Sequence, residues 1–447
     1  MEDKEKIMRK VYMSFLGTSN YLACNYISGP LRMNEIRFVQ EATVSWWCHD
    51  WQQGDRILIF VTDEAKEKNW LNNGHKKNDG TPISCSGLES RLASLELSAD
   101  IKMIKIPAGR SEEEIWEIFS IVVNELNDED KLYIDITHAF RSLPLLATVI
   151  INYAKVVKKI QVKAISYGAI EVLGSLRRVR ELDIKDRDVP VFDLLPFDQL
   201  LDWSTAIDRF VVSGNATGIC DLTATNVILR KKEVRGPDRE ADSLKKMADA
   251  LLGFSQTLAT CRGKNIVKHA EKLKETIGAV KKQQLIKPLT PLLEKLSQTV
   301  AAFSNDEVRD GATAARWCLE HNLVQQGFTL LQETMCTFIL RQSTQEDTRD
   351  KNKRNLVGMA VAIERDSKNF EKWSDDAKQN KKNIEDIRAW LRENKELFDC
   401  MKNLSQDRND LNHAGMNANP MTAEKFSRKL EEYIKIFESQ IYDRGKQ

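Results

Sequence analysis

Asp135-Ile136-Thr137-His138-Ala139-Phe140-Arg141-Ser142-Leu143-Pro144 is the stretch on which the reading of this chain turns. The apolar run Leu132 to Ile136 leads into it and reads as a buried strand. Beyond it, Leu145 to Val157 is apolar and long enough for a helix. The polar residues therefore fall between the carboxyl end of a strand and the start of a helix. In open α/β sheets ligands bind outside the carboxyl ends of strands, and helix N-termini favour anions. A carboxylate, a hydroxyl, an imidazole and a guanidinium gathered there point to a polar, phosphate-bearing ligand. A capped helix start, with Ser142 as N-cap and Arg141 in solvent, accounts for the local pattern equally well.

Working outward, Val11 to Leu16, Arg56 to Val61, Ile101 to Ile106 and Val162 to Ser166 are further short apolar runs rich in β-branched residues. Longer segments lie between them. In Glu112 to Leu126, for example, Ile115, Trp116, Phe119, Ile121, Val122 and Leu126 suit a helix packed on a sheet. Strands alternating with helices predict a Rossmann-like, doubly wound and mostly parallel sheet over residues 1–195. Trp70 to Ser86, rich in Gly, Asn and Lys, reads as an exposed loop, and Arg177 to Val191 as an added hairpin. After Pro196 strand-like runs almost vanish, and helical periodicity predicts an all-α domain over 196–447, with charged interruptions at Arg230 to Glu240 and Ser343 to Arg354. The fold class expected is α/β followed by all-α.

The 447 residues are enough for two cores. A net charge of +1 argues against a broad nucleic-acid footprint and leaves room for a local basic cleft. Eight cysteines are scattered without a C-x-x-C pair, as reduced thiols are. No apolar stretch is long enough to span a bilayer, and the charged start Met1 to Lys6 is no signal peptide, so a soluble, cytoplasmic protein is expected. Trp46, Trp47 and Trp51 read as core or interface aromatics. His49 and His75 are placed in loops and His321 in a helix.

The stretch around Asp135 resembles the Asp-x-Thr-His-Gly signature of CRISPR-associated proteins that carry a CARF domain, the sensor of cyclic oligoadenylates. Ala139 stands where that signature has glycine, so the backbone there is less free. The resemblance extends to Phe15-Leu16-Gly17-Thr18-Ser19-Asn20-Tyr21, to Ser166-Tyr167-Gly168-Ala169 and to Val191 through Phe197. It implies a sensor dimer that binds a ring of adenylates at its two-fold axis. Gly17, Thr18, Ser19 and Asn20 would offer donors to phosphate or adenine. Asp135, Thr137, His138 and Arg141 would line the same pocket, with Ser166 and Gly168 from the next strand end.

Near the other end stands Arg408-Asn409-Asp410-Leu411-Asn412-His413. An arginine, four intervening residues and a histidine resemble the R-x4-6-H pattern of HEPN ribonucleases, which also place an asparagine after the arginine. Arg262 to His269 satisfies the loose form too, but Arg262-Gly263-Lys264 reads as a break between helices. The residue types suit RNA cleavage by the ribose 2′-hydroxyl. Histidine, with an unperturbed pKa of about 6.5, transfers protons near neutral pH, and arginine offers a permanently charged fork to phosphate oxygens. On an ideal helix Arg408 and His413 lie roughly 140° apart while Asn409 and His413 share a face. One copy makes an awkward site, so the motif predicts two copies facing each other across a two-fold axis.

The resemblance thus implies a CARF–HEPN ribonuclease of type III CRISPR defence. It would be a homodimer, or a higher assembly of dimers, switched on by cyclic oligoadenylate and cutting single-stranded RNA. Arg408, Asn409 and His413 would be catalytic, with no cofactor, no metal and no membrane partner. There is no G-x-x-x-x-G-K-[ST], no G-x-S-x-G and no H-x-x-x-H. Two other classes stay open: a catalytically inactive sensor whose helical half recruits a partner, and a transcription regulator.

Overall fold

The computed structural model describes residues 8–77, 79–138, 143–233, 238–283, 289–344, 348–416 and 419–443, the side chains of 143, 226–233, 442 and 443 excepted. The protein divides into two compact units, Met1–Gln199 and Leu200–Gln447.

The first unit is built on eight strands: β1 (Lys10–Leu16), β2 (Cys24–Ser28), β3 (Leu31–Ile36), β4 (Arg56–Val61), β5 (Asp100–Lys105), β6 (Lys131–Asp135), β7 (Gln161–Gly168) and β8 (Asp188–Asp193). Their order across the sheet is β3-β2-β8-β7-β6-β1-β4-β5. Strands β7, β6, β1, β4 and β5 are mutually parallel. Strand β8 runs antiparallel to β7, β2 is parallel to β8, and β3 closes the edge as an antiparallel hairpin with β2. Residues 17–23 therefore leave β1 and reach a strand four positions away, passing the carboxyl ends of β6 and β7.

Alternation along the strands covers both faces. Val11, Met13, Phe15, Leu58, Phe60, Leu132 and Ile134 meet α4 (Glu112–Asn124) and α5 (Leu143–Val157) through Ile118, Val122, Ile150 and Ala154. Tyr12, Ile57, Ile59 and Val61 face the other way, onto α1 (Val39–Trp47) and α3 (Leu88–Ala93). Trp51 is buried in that second core, and Trp47 packs against it. A single turn, α2 (Asp63–Ala65), runs into a π-helical turn, Lys66–Trp70. Of the stretch read as an exposed loop, Trp70 ends that π-helical turn and residues 71–77 and 79–86 lie outside helices and strands, but Trp70 and His75 are buried.

The hairpin expected at Arg177 to Val191 is not formed. Leu176–Glu181 is a helical turn (α6) capped by the Ser175 hydroxyl, and only β8 is a strand there. Its alternating charges sit on a helix turn and an exposed loop, where period two has no meaning. The added hairpin lies instead at β2 and β3, turning through Gly29 at φ +57°.

From residue 195 on, the described residues form helices and no strand: α7 (Leu195–Ser213), α8 (Thr217–Glu233), α9 (Arg239–Ala259), α10 (Ile266–Lys281), α11 (Thr290–Thr299), α12 (Glu307–Glu320), α13 (Val324–Ser343), α14 (Lys351–Arg365), α15 (Asp375–Gln379), α16 (Lys381–Glu393), α17 (Lys395–Asn412) and α18 (Ala423–Asp443). One core joins α7 to α12 around Phe210, Leu251, Phe254 and Leu273. Another joins α12 to α18 around Phe328, Ile339, Ile384, Leu404 and Phe437. Among the described residues no helix is long and apolar enough to cross a membrane.

Candidate functional site

In the first unit, strand ends bring the expected residues together. Asp135 ends β6 and is fully buried. Its Oδ1 accepts from the hydroxyls of Thr137 (2.6 Å) and Ser166 (3.0 Å), and its Oδ2 from that of Ser14 (2.8 Å). The carboxyl group thus ties the ends of β1, β6 and β7 together. Burial pushes its pKa above the usual carboxylate range, against the opposite pull of the three hydroxyls. Thr137 in turn accepts the Gly168 N–H at 2.8 Å. A Cβ at Gly168 would meet Val39 at 3.0 Å and Thr137 at 3.4 Å, so this strand end packs closely against its neighbours.

His138 stands on the other side of Thr137. Its ring stacks on Tyr21, with centroids 4.1 Å apart. Its Nε2 is buried without a partner among the described residues. Burial pushes its pKa down to about 4, so the ring is neutral near physiological pH. Tyr21 lies over the start of the β1 loop. A Cβ at Gly17 would come within 2.5 Å of the Tyr21 hydroxyl, which only glycine allows without a shift. Gly17 and Thr18 are half-buried, while Ser19 and Asn20 are exposed. Arg141 lies outside the described residues.

Residues that motif reading did not single out hold this loop. Asn69, on the π-helical turn, donates from Nδ2 to the carbonyls of Gly17 and Ser19, each at 2.9 Å. Its Oδ1 accepts from Arg37 at 3.1 Å and shares a 3.0 Å contact with His75 Nε2. Burial lowers the His75 pKa, with Arg37 and Lys68 adding to the effect. Gln40 on α1 donates to Ser14 Oγ and the Phe15 carbonyl, both at 3.1 Å. Arg37, Gln40, Asn69 and His75 follow Gly17 by 20 to 58 positions and precede Asp135 by 60 to 98, and no spacing in the sequence ties them to either motif.

In the second unit, Arg408, Asn409 and His413 occupy the last turn and the end of α17. Leu397, Cys400, Met401 and Leu404 form its buried stripe, and Arg408 continues that stripe one turn further. It is accordingly half-buried, donating to Thr329 Oγ1 (3.4 Å) and Gln332 Oε1 (3.3 Å) on α13. Neither partner is charged. Asn409 and His413 are exposed. His413 is the C-cap residue rather than an interior one. The helix closes as a Schellman turn, with Ala414 N–H on Leu411 O (3.2 Å) and Gly415 N–H on Asp410 O (3.1 Å), and with φ positive at both residues. Those N–H groups cover carbonyls that would otherwise oppose an anion near His413. The second match at Arg262 lies at a break, as expected: Arg262 precedes the 3-10 turn Gly263–Asn265, and His269 Nδ1 faces Thr257 at 3.3 Å. Among the described residues no group of three His, Cys, Asp or Glu side chains is placed to hold a metal ion.

Comparison with known proteins gives two matches. Residues 199–305 match the family described as CRISPR-associated protein MJ1674, second domain. The chain is also similar to the CRISPR-associated protein MJ1674 of Methanocaldococcus jannaschii, 26% identical over 238 residues. The match covers 52% of this chain and spans a third (33%) of the length of that protein. Both support a CRISPR-associated role for the chain.

Proposed function

We propose that the chain is an endoribonuclease of type III CRISPR defence, activated by cyclic oligoadenylate, that cuts single-stranded RNA as a homodimer. The observation that carries the reading is the pairing of two sites on one chain. A strand-end cluster of Gly17 to Asn20, Thr137 and His138 lies in the α/β unit, and Arg408, Asn409 and His413 end a helix in the all-α unit. The similarity to a CRISPR-associated protein supports the context.

In the chemistry proposed, the ribose 2′-oxygen attacks its own phosphorus and the P–O5′ bond breaks. The 2′-hydroxyl proton goes to one histidine, the departing 5′-oxygen takes a proton from a second, protonated histidine, and the ends are a 2′,3′-cyclic phosphate and a 5′-hydroxyl. Arg408, held on α13 by neutral partners, keeps its charge for the phosphate oxygens. His413, exposed at a helix end, is free to face its counterpart in a second copy. A row of exposed apolar side chains on α5 (Leu145, Val149, Tyr153 and Val156) supports self-association of the first unit.

The test is cleavage of a labelled RNA in EDTA, with cyclic tetra- or hexa-adenylate. Wild type should cut RNA and not DNA, which lacks the 2′-hydroxyl, and His413→Ala should bind ring and stay folded without cutting. Undiminished cleavage by that variant would end the assignment.

A further inference from the structure

We propose that Arg37 is an anion-binding residue of the first unit's site and takes a phosphodiester group of the ligand. The proposal rests on the sensor reading above and deepens it. Arg37 lies between β3 and α1, at the sheet edge where the residue 17–23 segment passes. Its Nε donates to the Tyr21 carbonyl (3.3 Å), and its Nη2 to Asn20 Oδ1 (3.3 Å) and Asn69 Oδ1 (3.1 Å). Its guanidinium carbon sits over the Phe38 ring, 5.1 Å from the centroid. Nη1 is buried and has no partner among the described residues.

Every described partner of Arg37 is a neutral oxygen. The carboxylates that flank the site are engaged elsewhere. Glu41 Oε1 accepts from the Phe38 N–H and its Oε2 from Arg91 at 2.6 Å. Asp135 is saturated by three hydroxyls. A half-buried cation with an unused, buried N–H and no counter-charge departs from the rule that buried charges are paired. A phosphate oxygen supplies both the charge and the acceptor, through a charge-assisted bond that a neutral base edge does not match. Asn69 makes the arrangement rigid, because the same amide that accepts from Arg37 donates to the Gly17 and Ser19 carbonyls. The cation and the loop are therefore positioned as one piece before any ligand arrives.

The test uses the full chain and two probes. Affinity for cyclic tetra- and hexa-adenylate is measured at several salt concentrations for wild type, Arg37→Ala and Arg37→Lys. Arg37→Ala should weaken binding ten- to hundred-fold and flatten the salt dependence, while Arg37→Lys keeps the salt dependence. A residue that only supports the loop would weaken binding and leave the salt dependence of wild type intact; that result, or equal affinity for Arg37→Ala, overturns the proposal. The second probe is tripolyphosphate, followed by thermal unfolding, with Arg37→Gln as the variant. If neither ring binds but tripolyphosphate stabilises wild type and not Arg37→Gln, the phosphate site stands and the sensor reading falls. If neither ring binds and tripolyphosphate acts equally on both proteins, both fall.

Discussion

Asp135 offers the sharpest quantitative test of how the strand-end site is held. Replacing it with alanine removes one acceptor from each of three hydroxyls, on Ser14, Thr137 and Ser166. Ser14 and Ser166 are buried and Thr137 is half-buried, and an orphaned buried donor costs about 1–3 kcal/mol. The hydroxyls retain partial relief by turning toward one another, and the variant also loses the penalty of burying a charge. Three such donors, partly relieved, give a net destabilisation of roughly 2–5 kcal/mol. Asparagine keeps the shape and one acceptor oxygen, so Asp135→Asn should cost only ~1 kcal/mol, about one hydrogen bond. The pH dependence separates the two effects. Because the folded carboxyl holds its proton to a higher pH than the unfolded one, the folded state binds more protons between the two values. The contribution of Asp135 to stability is then fully present below the unfolded value, near 3.9, and falls as pH rises through the raised folded one. Asp135→Asn lacks that slope, so its disadvantage should shrink as pH rises above the unfolded value. Native-state hydrogen exchange at β1 and β6 amides, with denaturant titration, reads both quantities in the full chain. An alanine variant within 1 kcal/mol of wild type, or a difference between wild type and Asp135→Asn that ignores pH, would refute the account.

His138 should act in the opposite direction. Its folded pKa is depressed to about 4, so the unfolded state binds the extra proton, and stability is lost as pH falls from about 6.5 toward 4. His138→Phe, which keeps a ring on Tyr21, should remove that loss, as thermal unfolding between pH 4 and 7 will report. For the self-association of the first unit, Val149→Asp and Tyr153→Asp place charges on exposed α5 positions. Sedimentation should find these variants at least tenfold weaker in association, with the strands still protected from exchange.

The parallel core was legible because its signals are local. Arg56 to Val61 matches β4 residue for residue, and the runs at Val11, Ile101, Leu132 and Val162 each fall within one or two residues of a strand. What the sequence hid were elements without a buried period. Strand β3, LRMNEI, is largely exposed along the sheet edge, and β8 carries Pro190, which weakens a strand reading. The candidate site was legible in the same measure. Asp135, Thr137 and His138 announce themselves as a motif, whereas Asn69 and Arg37 belong to segments distant in sequence. Their role exists only once the strand order brings those segments to one edge. In the second unit the spacing from Arg408 to His413 was visible, but the place where the helix stops depends on a turn through Ala414 and Gly415 that periodicity does not reveal.

The strand order also sets a length. From β1 to β2 the chain moves four strand positions, ~19 Å at the usual spacing between neighbouring strands. Eight residue steps separate Leu16 from Cys24, and fully extended they reach about 26–29 Å. The segment that carries Gly17 to Asn20 therefore has only about 7–10 Å of reach to spare as it crosses the ends of the strands it passes. Removing two residues would leave about 20–22 Å of reach, too little slack for the bend over Gly17 and Tyr21. The fold accepts insertions here far more readily than deletions. The Asn69 and Arg37 bonds hold the loop's carbonyls in place, so the ordering of this surface is completed when the sheet forms.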